Sequence, residues 1–97
     1  MGDFQRALFD FSVAIRIVED QKSKEPNWKQ NLAEYYNFAG VQHYELGQLD
    51  EALQHYELAV EYHKQNGMYH YNKGLVKSRL DDVEAAIKSY ESALQHL

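Results

Sequence analysis

The side chains best suited to chemistry are five histidines and fifteen carboxylates, in a chain with no cysteine. His55 and His63 stand eight residues apart, about two helical turns, so a helix would present both on one side. Glu51 precedes His55 by four residues, the spacing of helix-face neighbours. Four residues either side of His63 stand Ala59 and Gly67, which cannot ligate. A metal centre takes three or four converging ligands. This pattern offers fewer, so no metal and no other cofactor is expected. Asp81-Asp82 has the residue types of an acid/base pair, but its position suits a turn and a helix start better. There is no G-x-S-x-G elbow and no glycine-rich phosphate loop. Without cysteine there is no thiolate nucleophile or disulfide. The expectation is a protein that is not an enzyme.

Composition narrows the class further. The chain has 97 residues, 44% hydrophobic and 26% charged, which is the balance of one small globular domain. Its formal net charge of −5 argues against nucleic acid as a partner, because that needs a basic face. No apolar run approaches the ~18 residues of a membrane span, so no membrane partner is expected. Met1-Gly2 is followed by Arg6 where N-myristoylation needs Ser or Thr. No secretory pattern opens the sequence, and an intracellular, cytoplasmic setting is the default expectation. Five glycines and one proline imply few turns, which favours helices. Eight tyrosines supply large amphipathic side chains of the kind that interfaces use.

The positioning elements emerge from an internal period. Ala-Leu or Ala-Ile precedes an aromatic three times: Ala7-Leu8 with Phe11, Ala52-Leu53 with Tyr56, and Ala86-Ile87 with Tyr90. A second alanine follows each first one by seven residues, at Ala14, Ala59 and Ala93. Ala52 to Ala86 is 34 residues, and so is Gly40 to Gly74. Leu49, Ala52, Leu53, Tyr56, Ala59 and Val60 follow the i, i+3, i+4, i+7 stripe of a helix, and Val83 to Leu94 repeats it. Trp28, Leu32, Tyr36, Ala39, His43 and Leu46 form another stripe. Turn residues cluster at Gly47-Gln48, Asn66-Gly67 and Asp81-Asp82, with a longer break at Lys24-Glu25-Pro26. The spacing predicts five helices, near 4–21, 27–46, 50–65, 68–80 and 83–96.

These residues resemble the tetratricopeptide repeat family, whose 34-residue unit is a pair of antiparallel helices. In residues 33–66 the matches are Tyr36, Ala39, Gly40, Gly47, Ala52, Tyr56 and Ala59, and Tyr44 to Leu53 lies close to the family consensus. Residues 67–97 match at Gly74, Leu80, Ala86, Tyr90 and Ala93. Residues 2–21 resemble the second half of a unit, with Gly2-Asp3-Phe4 at the turn. The resemblance implies an all-α fold: helix-turn-helix repeats stacked into a right-handed solenoid of about five helices. It implies one domain over 1–97, divided into a half-repeat (2–21), an insertion (22–32), a full repeat (33–66) and a near-full one (67–97). Gly40 and Gly74 are expected to admit the partner helix opposite Ala52/Ala59 and Ala86/Ala93, with Tyr56 and Tyr90 filling the gap between turns.

Four departures from the pattern matter. Ala7 to Ala52 is 45 residues, eleven more than one unit. The excess is assigned to a helix ending near Gln21, a Lys22–Glu25 linker, and extra turns carrying Trp28 and Leu32, as an arm or a seal. Phe9, Val13 and Ile17 add a second apolar stripe to the first helix, beside Phe4, Ala7, Leu8, Phe11, Ile15 and Val18. It maps to the convex back, where later units carry Gln54, Leu58, Tyr62 and Lys88, Ser92, His96. Such a helix is normally covered, either by another chain or through a changed register. His70, Lys73 and Lys77 replace bulky apolar residues, as a snorkelling edge or as a cationic patch for an acidic partner. Val83, Ile87, Leu94 and Leu97 are expected to be exposed. Uncovered ends of this kind suit an excised segment of a longer array or a protomer covered by partners.

The resemblance also implies a concave groove. It would be walled by Glu34, Asn37, Phe38, Val41, Tyr44 and Glu45 from one unit, and by Met68, Tyr71, Asn72, Leu75, Ser78 and Arg79 from the next. That mixture suits an extended or helical peptide. Positions where some family members clamp a C-terminal carboxylate hold Asn37, Val41, Met68 and Asn72, so that mode is not expected. Two readings follow. The chain binds a protein or peptide partner through this groove or an apolar face, or it self-associates as a structural spacer. The interface residues would be Phe9, Val13, Ile17, Ile87, Leu94 and Leu97, and the second reading makes the chain a homo-oligomer.

Overall fold

A computed structural model describes residues 2–20 and 26–97, with the Phe4 side chain left aside. It is all helical among these residues: α1 (Gly2–Asp20), α2 (Trp28–Glu45), α3 (Leu49–Tyr62), α4 (Gly67–Arg79) and α5 (Val83–Gln95). Each matches an expected helix to within a few residues. The end near Gln21 and the Lys22–Glu25 linker lie outside the described residues. The turn expected at Gly2-Asp3-Phe4 is already helix. Pro26 sits in a turn before α2 rather than in its first turn.

The helix ends have local chemical causes. Both α2 and α4 close with the same hydrogen-bonded turn. Gly47 N–H donates to Tyr44 O and Gln48 N–H to His43 O, at 3.0 and 2.9 Å. One repeat later, Asp81 N–H donates to Ser78 O and Asp82 N–H to Lys77 O, at 3.0 and 2.9 Å. This closure needs a left-handed residue after the helix, and Gly47 and Asp81 have φ of 77° and 63°. Asp82 then caps α5, its Oδ1 accepting from Ala85 N–H at 3.3 Å, and Asn66 caps α4 through Tyr69 N–H at 3.3 Å. Asp81-Asp82 is thus a turn and a cap. The chain leaves α3 at His63, whose φ is −149°, so α3 ends earlier than its stripe predicts.

Most helix packing is between consecutive helices, and α4 also touches α2 across the repeat joint, in a body measuring 39 × 33 × 16 Å. The core forms two clusters at the joint between units. In one, Tyr69 of α4 seats on Ala33 and Ala59, flanked by Tyr36, Val60 and Tyr62. In the other, Val76 seats on Ala52 and Tyr56, flanked by Val41, Tyr44, Leu49 and Leu53. Val76 is wholly buried, worth roughly 1.5–3 kcal/mol for a side chain of its size. Small residues at 33, 52 and 59 let α4 settle into the cleft between α2 and α3.

Two packing expectations change. A Cβ on Gly40 would meet the Tyr56 ring, and one on Gly74 the Tyr90 ring, so these glycines face aromatic rings rather than alanines. Tyr62 is not on an open back. Its ring stacks on Tyr36 at 6.0 Å and meets Trp28 edge-on at 6.1 Å, both from α2. Trp28 therefore seals the extended part of α2 against the end of α3.

Candidate functional site

The groove residues divide once they are placed. Asn37 is buried, and its Oδ1 accepts from Asn72 Nδ2 at 2.8 Å, tying α2 to α4. A second tie lies a few turns along: Arg79 donates to the Tyr44 hydroxyl at 3.2 Å, with its guanidinium 5.5 Å from that ring's centre. Val41 belongs to the Val76 cluster. Phe38 is partly exposed and stacks on Phe11 of α1 at 5.5 Å. Glu34 and Glu45 are exposed, and Leu75 is half-buried. This wall is braced by its own polar contacts, which leaves fewer free donors than the residue types alone suggest.

Met68 and Tyr71, expected in the groove, share an apolar cavity with Leu94 and Leu97, expected at an interface. Gly67, Tyr90 and Ala93 complete its lining, and its volume is about 590 Å³. Met68 is 65% exposed and Leu94 69%. The repeat explains its shape. Gly67, Ala93, Leu94 and Leu97 stand 34 residues after Ala33, Ala59, Val60 and His63. Those four surround Tyr69, Ala33 and Ala59 as its seat, Val60 packed beside it and His63 edge-on at 6.0 Å. Val83 and Ile87 stand 34 residues after Leu49 and Leu53, which flank Val76. Both are more than half exposed. The α4/α5 face thus repeats, in apolar form, the seat that α4 itself occupies on α2/α3.

On α1 the second stripe is open: Phe9, Val13 and Ile17 are all exposed and line a shallow depression with Ser12, Arg16 and Asp20. Ile17 occupies the position that Tyr62 holds in the next unit, where it packs on α2.

The histidines meet in pairs, His43 with His55 and His70 with His96. His55 Nδ1–H donates to the Glu51 backbone carbonyl at 2.8 Å, not to its carboxylate, and its ring lies 4.7 Å from that of His43. Burial, with a further push from His43, lowers the His55 pKa. His63 turns instead to Tyr69. Among the described residues no three His, Cys, Asp or Glu side chains are placed to hold a metal ion. No described helix is long and apolar enough to cross a membrane.

A slab of helix pairs joined at a 34-residue period is a helical-repeat solenoid. Residues 33–66 and 69–95 match models of the tetratricopeptide repeat, and the chain belongs to that family. No curated protein matches the chain. Tetratricopeptide repeats are generally non-catalytic modules that bind protein partners.

Proposed function

We propose that this chain is a non-catalytic protein-interaction module that takes an amphipathic helix of a partner on its α4/α5 face. The observation that carries this reading is the apolar cavity formed by Met68, Tyr71, Leu94 and Leu97. The internal seat supplies the template for its occupant. Tyr69 and Val76 stand seven residues apart on α4 and enter the α2/α3 cleft together. A partner helix with an aromatic residue and an aliphatic one at that spacing would present the same stripe. Glu34, Phe38 and Arg79 extend the surface along the concave side. We read 2–21 as the second half of a unit, followed by an insertion and two units at 33–66 and 67–97.

The exposed Phe9/Val13/Ile17 stripe supports the second reading, self-association. Two measurements separate them. A fluorescent peptide with the sequence of residues 66–80, which carries Tyr69 and Val76, is titrated with the protein. Saturable binding that is lost on Leu94→Lys and on Tyr71→Ala is expected. Binding indifferent to both would sink the helix-docking reading. Sedimentation equilibrium then reports mass against concentration. A rising mass abolished by Phe9→Ser with Val13→Ser would move the function to self-assembly.

A further inference from the structure

We propose that the back groove between α4 and α5 is a binding pocket for a phosphoryl group. The groove is a separate cavity of about 250 Å³, lined by His70, Lys73 and Lys77 from α4 and by Lys88, Ser89 and Ser92 from α5, with Ala85 at its edge. Three lysines and two serines are in its lining, and no lining residue is acidic. In a chain of net charge −5 this is a local reversal of sign.

The preceding unit shows that the pocket is a specific departure. Thirty-four residues earlier the same positions hold Tyr36, Ala39, His43, Glu51, Gln54, His55 and Leu58. There the space is closed by rings: His55 lies 6.0 Å from Tyr36 and 4.7 Å from His43. In the last unit His55 is replaced by Ser89, Leu58 by Ser92 and Glu51 by Ala85. Each change removes bulk, and the last removes the carboxylate. Lysine replaces Ala39, His43 and Gln54 at the rim. The positions that would fill the groove have become small, and those that ring it have become cationic.

No ion pair engages Lys73, Lys77 or Lys88 among the described residues. Partial burial lowers the Lys73 pKa, and Lys77 lowers it further, while Glu57 acts in the opposite direction more weakly. A bound dianion would offset both effects by its charge. His70 contributes a wall rather than a donor. Its Nε2–H donates to Lys64 O at 2.7 Å, and its ring stacks on His96 at 5.5 Å.

Size and charge select the ligand class. The cavity falls below the ~300–1,000 Å³ of drug-sized ligand sites, so it suits a compact group and not an extended chain. A phosphoryl group brings about −1.5 to −2 charge and three acceptor oxygens. That matches three lysines, which bind phosphate as point charges, and two serine hydroxyls. A carboxylate matches only part of this set.

The test is a titration of isotope-labelled protein with inorganic phosphate at fixed ionic strength, followed by amide NMR shifts. Parallel titrations use acetate and N-acetyl phosphoserine amide. Saturable shifts confined to 70–77 and 85–92 are expected, with acetate at least about tenfold weaker. Lys73→Gln with Lys88→Gln should weaken phosphate binding by about tenfold or more. Ser89→His, which restores the ring of the preceding unit, should close the site, and Lys88→Gln alone gives the same reading if that variant fails to fold. Tighter binding of the phosphoserine compound identifies the source as a modified side chain, and equal binding identifies free phosphate. Equal response to acetate, unsaturable shifts spread over the chain, or shifts that survive the double lysine variant would each overturn the proposal.

Discussion

The Tyr56 ring fills the space that a side chain on Gly40 would need. A Cβ there would sit 2.6 Å from Cε1 and 2.7 Å from Cδ1 of that ring, and Tyr90 stands over Gly74 at 2.6 and 2.8 Å. The glycine of each unit is therefore a recess for the aromatic of the same unit. Ring and recess hold the two helices at one separation.

The two recesses should respond differently to filling. Alanine normally stabilises a helix relative to glycine by roughly 0.5–1 kcal/mol, but overpacking a filled core costs typically ~1–3 kcal/mol. Tyr56 is 3% exposed, locked between Ala52 and Val76. Tyr90 is only half-buried and has the apolar cavity beside it. Gly40→Ala should therefore lose about 1–2 kcal/mol by urea denaturation, and Gly74→Ala distinctly less. The reverse order would contradict this account.

Gly47 and Asp81 hold the same left-handed turn one repeat apart. A non-glycine residue there costs energy, although aspartate tolerates it better than most. Asp81→Gly should raise stability by about 0.5–1 kcal/mol. Gly47→Ala should lower it by about 1 kcal/mol, and this cost is conformational, since nothing lies within 4 Å of the added Cβ. Thermal melts of both variants check the pair.

His55 should give the fold a pH dependence. Burial and the neighbouring His43 hold its folded pKa below the ordinary 6.5, against the weaker pull of Glu51. The unfolded chain then binds the proton more readily. Stability from this group is complete above pH 6.5 and falls away as pH drops through the lowered folded value. Denaturation midpoints at a series of pH values should show this slope, reduced in His55→Gln.

Asn37 and Asn72 form a part-buried tie between the first helices of adjacent units. Asn72→Ala leaves the Asn37 carbonyl oxygen unpaired, at a cost of about 1–3 kcal/mol. Removing both should cost less than the sum of the single changes. A double-mutant cycle by chemical denaturation measures the difference, and strict additivity would show that the bond contributes nothing.

Much of the fold is legible in the sequence because helix periodicity and the 34-residue spacing are local or nearly local signals. Ala52, Tyr56 and Ala59 mark both the helix and its buried side. Contact across helices carries no such signal. Nothing local says that Gly40 meets Tyr56 rather than Ala52, since Ala52 and Tyr56 share one face of their helix. The stripe of His70, Lys73 and Lys77 is visible on α4, but its convergence with Lys88 and Ser89 requires α5 in place. Likewise Met68 and Tyr71 join Leu94 and Leu97 only in three dimensions. Comparing positions 34 residues apart reveals the exchanges at the back groove, His55 for Ser89 among them, but not that they line one space.

Because most packing is between helices adjacent in sequence, with α4 also tied to α2 across the repeat joint, the molecule is energetically a short row of coupled cells. Its contacts have low sequence separation, which favours fast folding. Ordering can begin in any cell and spread to the next. A ligand that grips α4 and α5 lends its binding energy to that cell by mass action. Less of it reaches α1, which is coupled to α4 by way of α2. Occupancy at one end is therefore registered as local rigidity, not as a signal carried through the body.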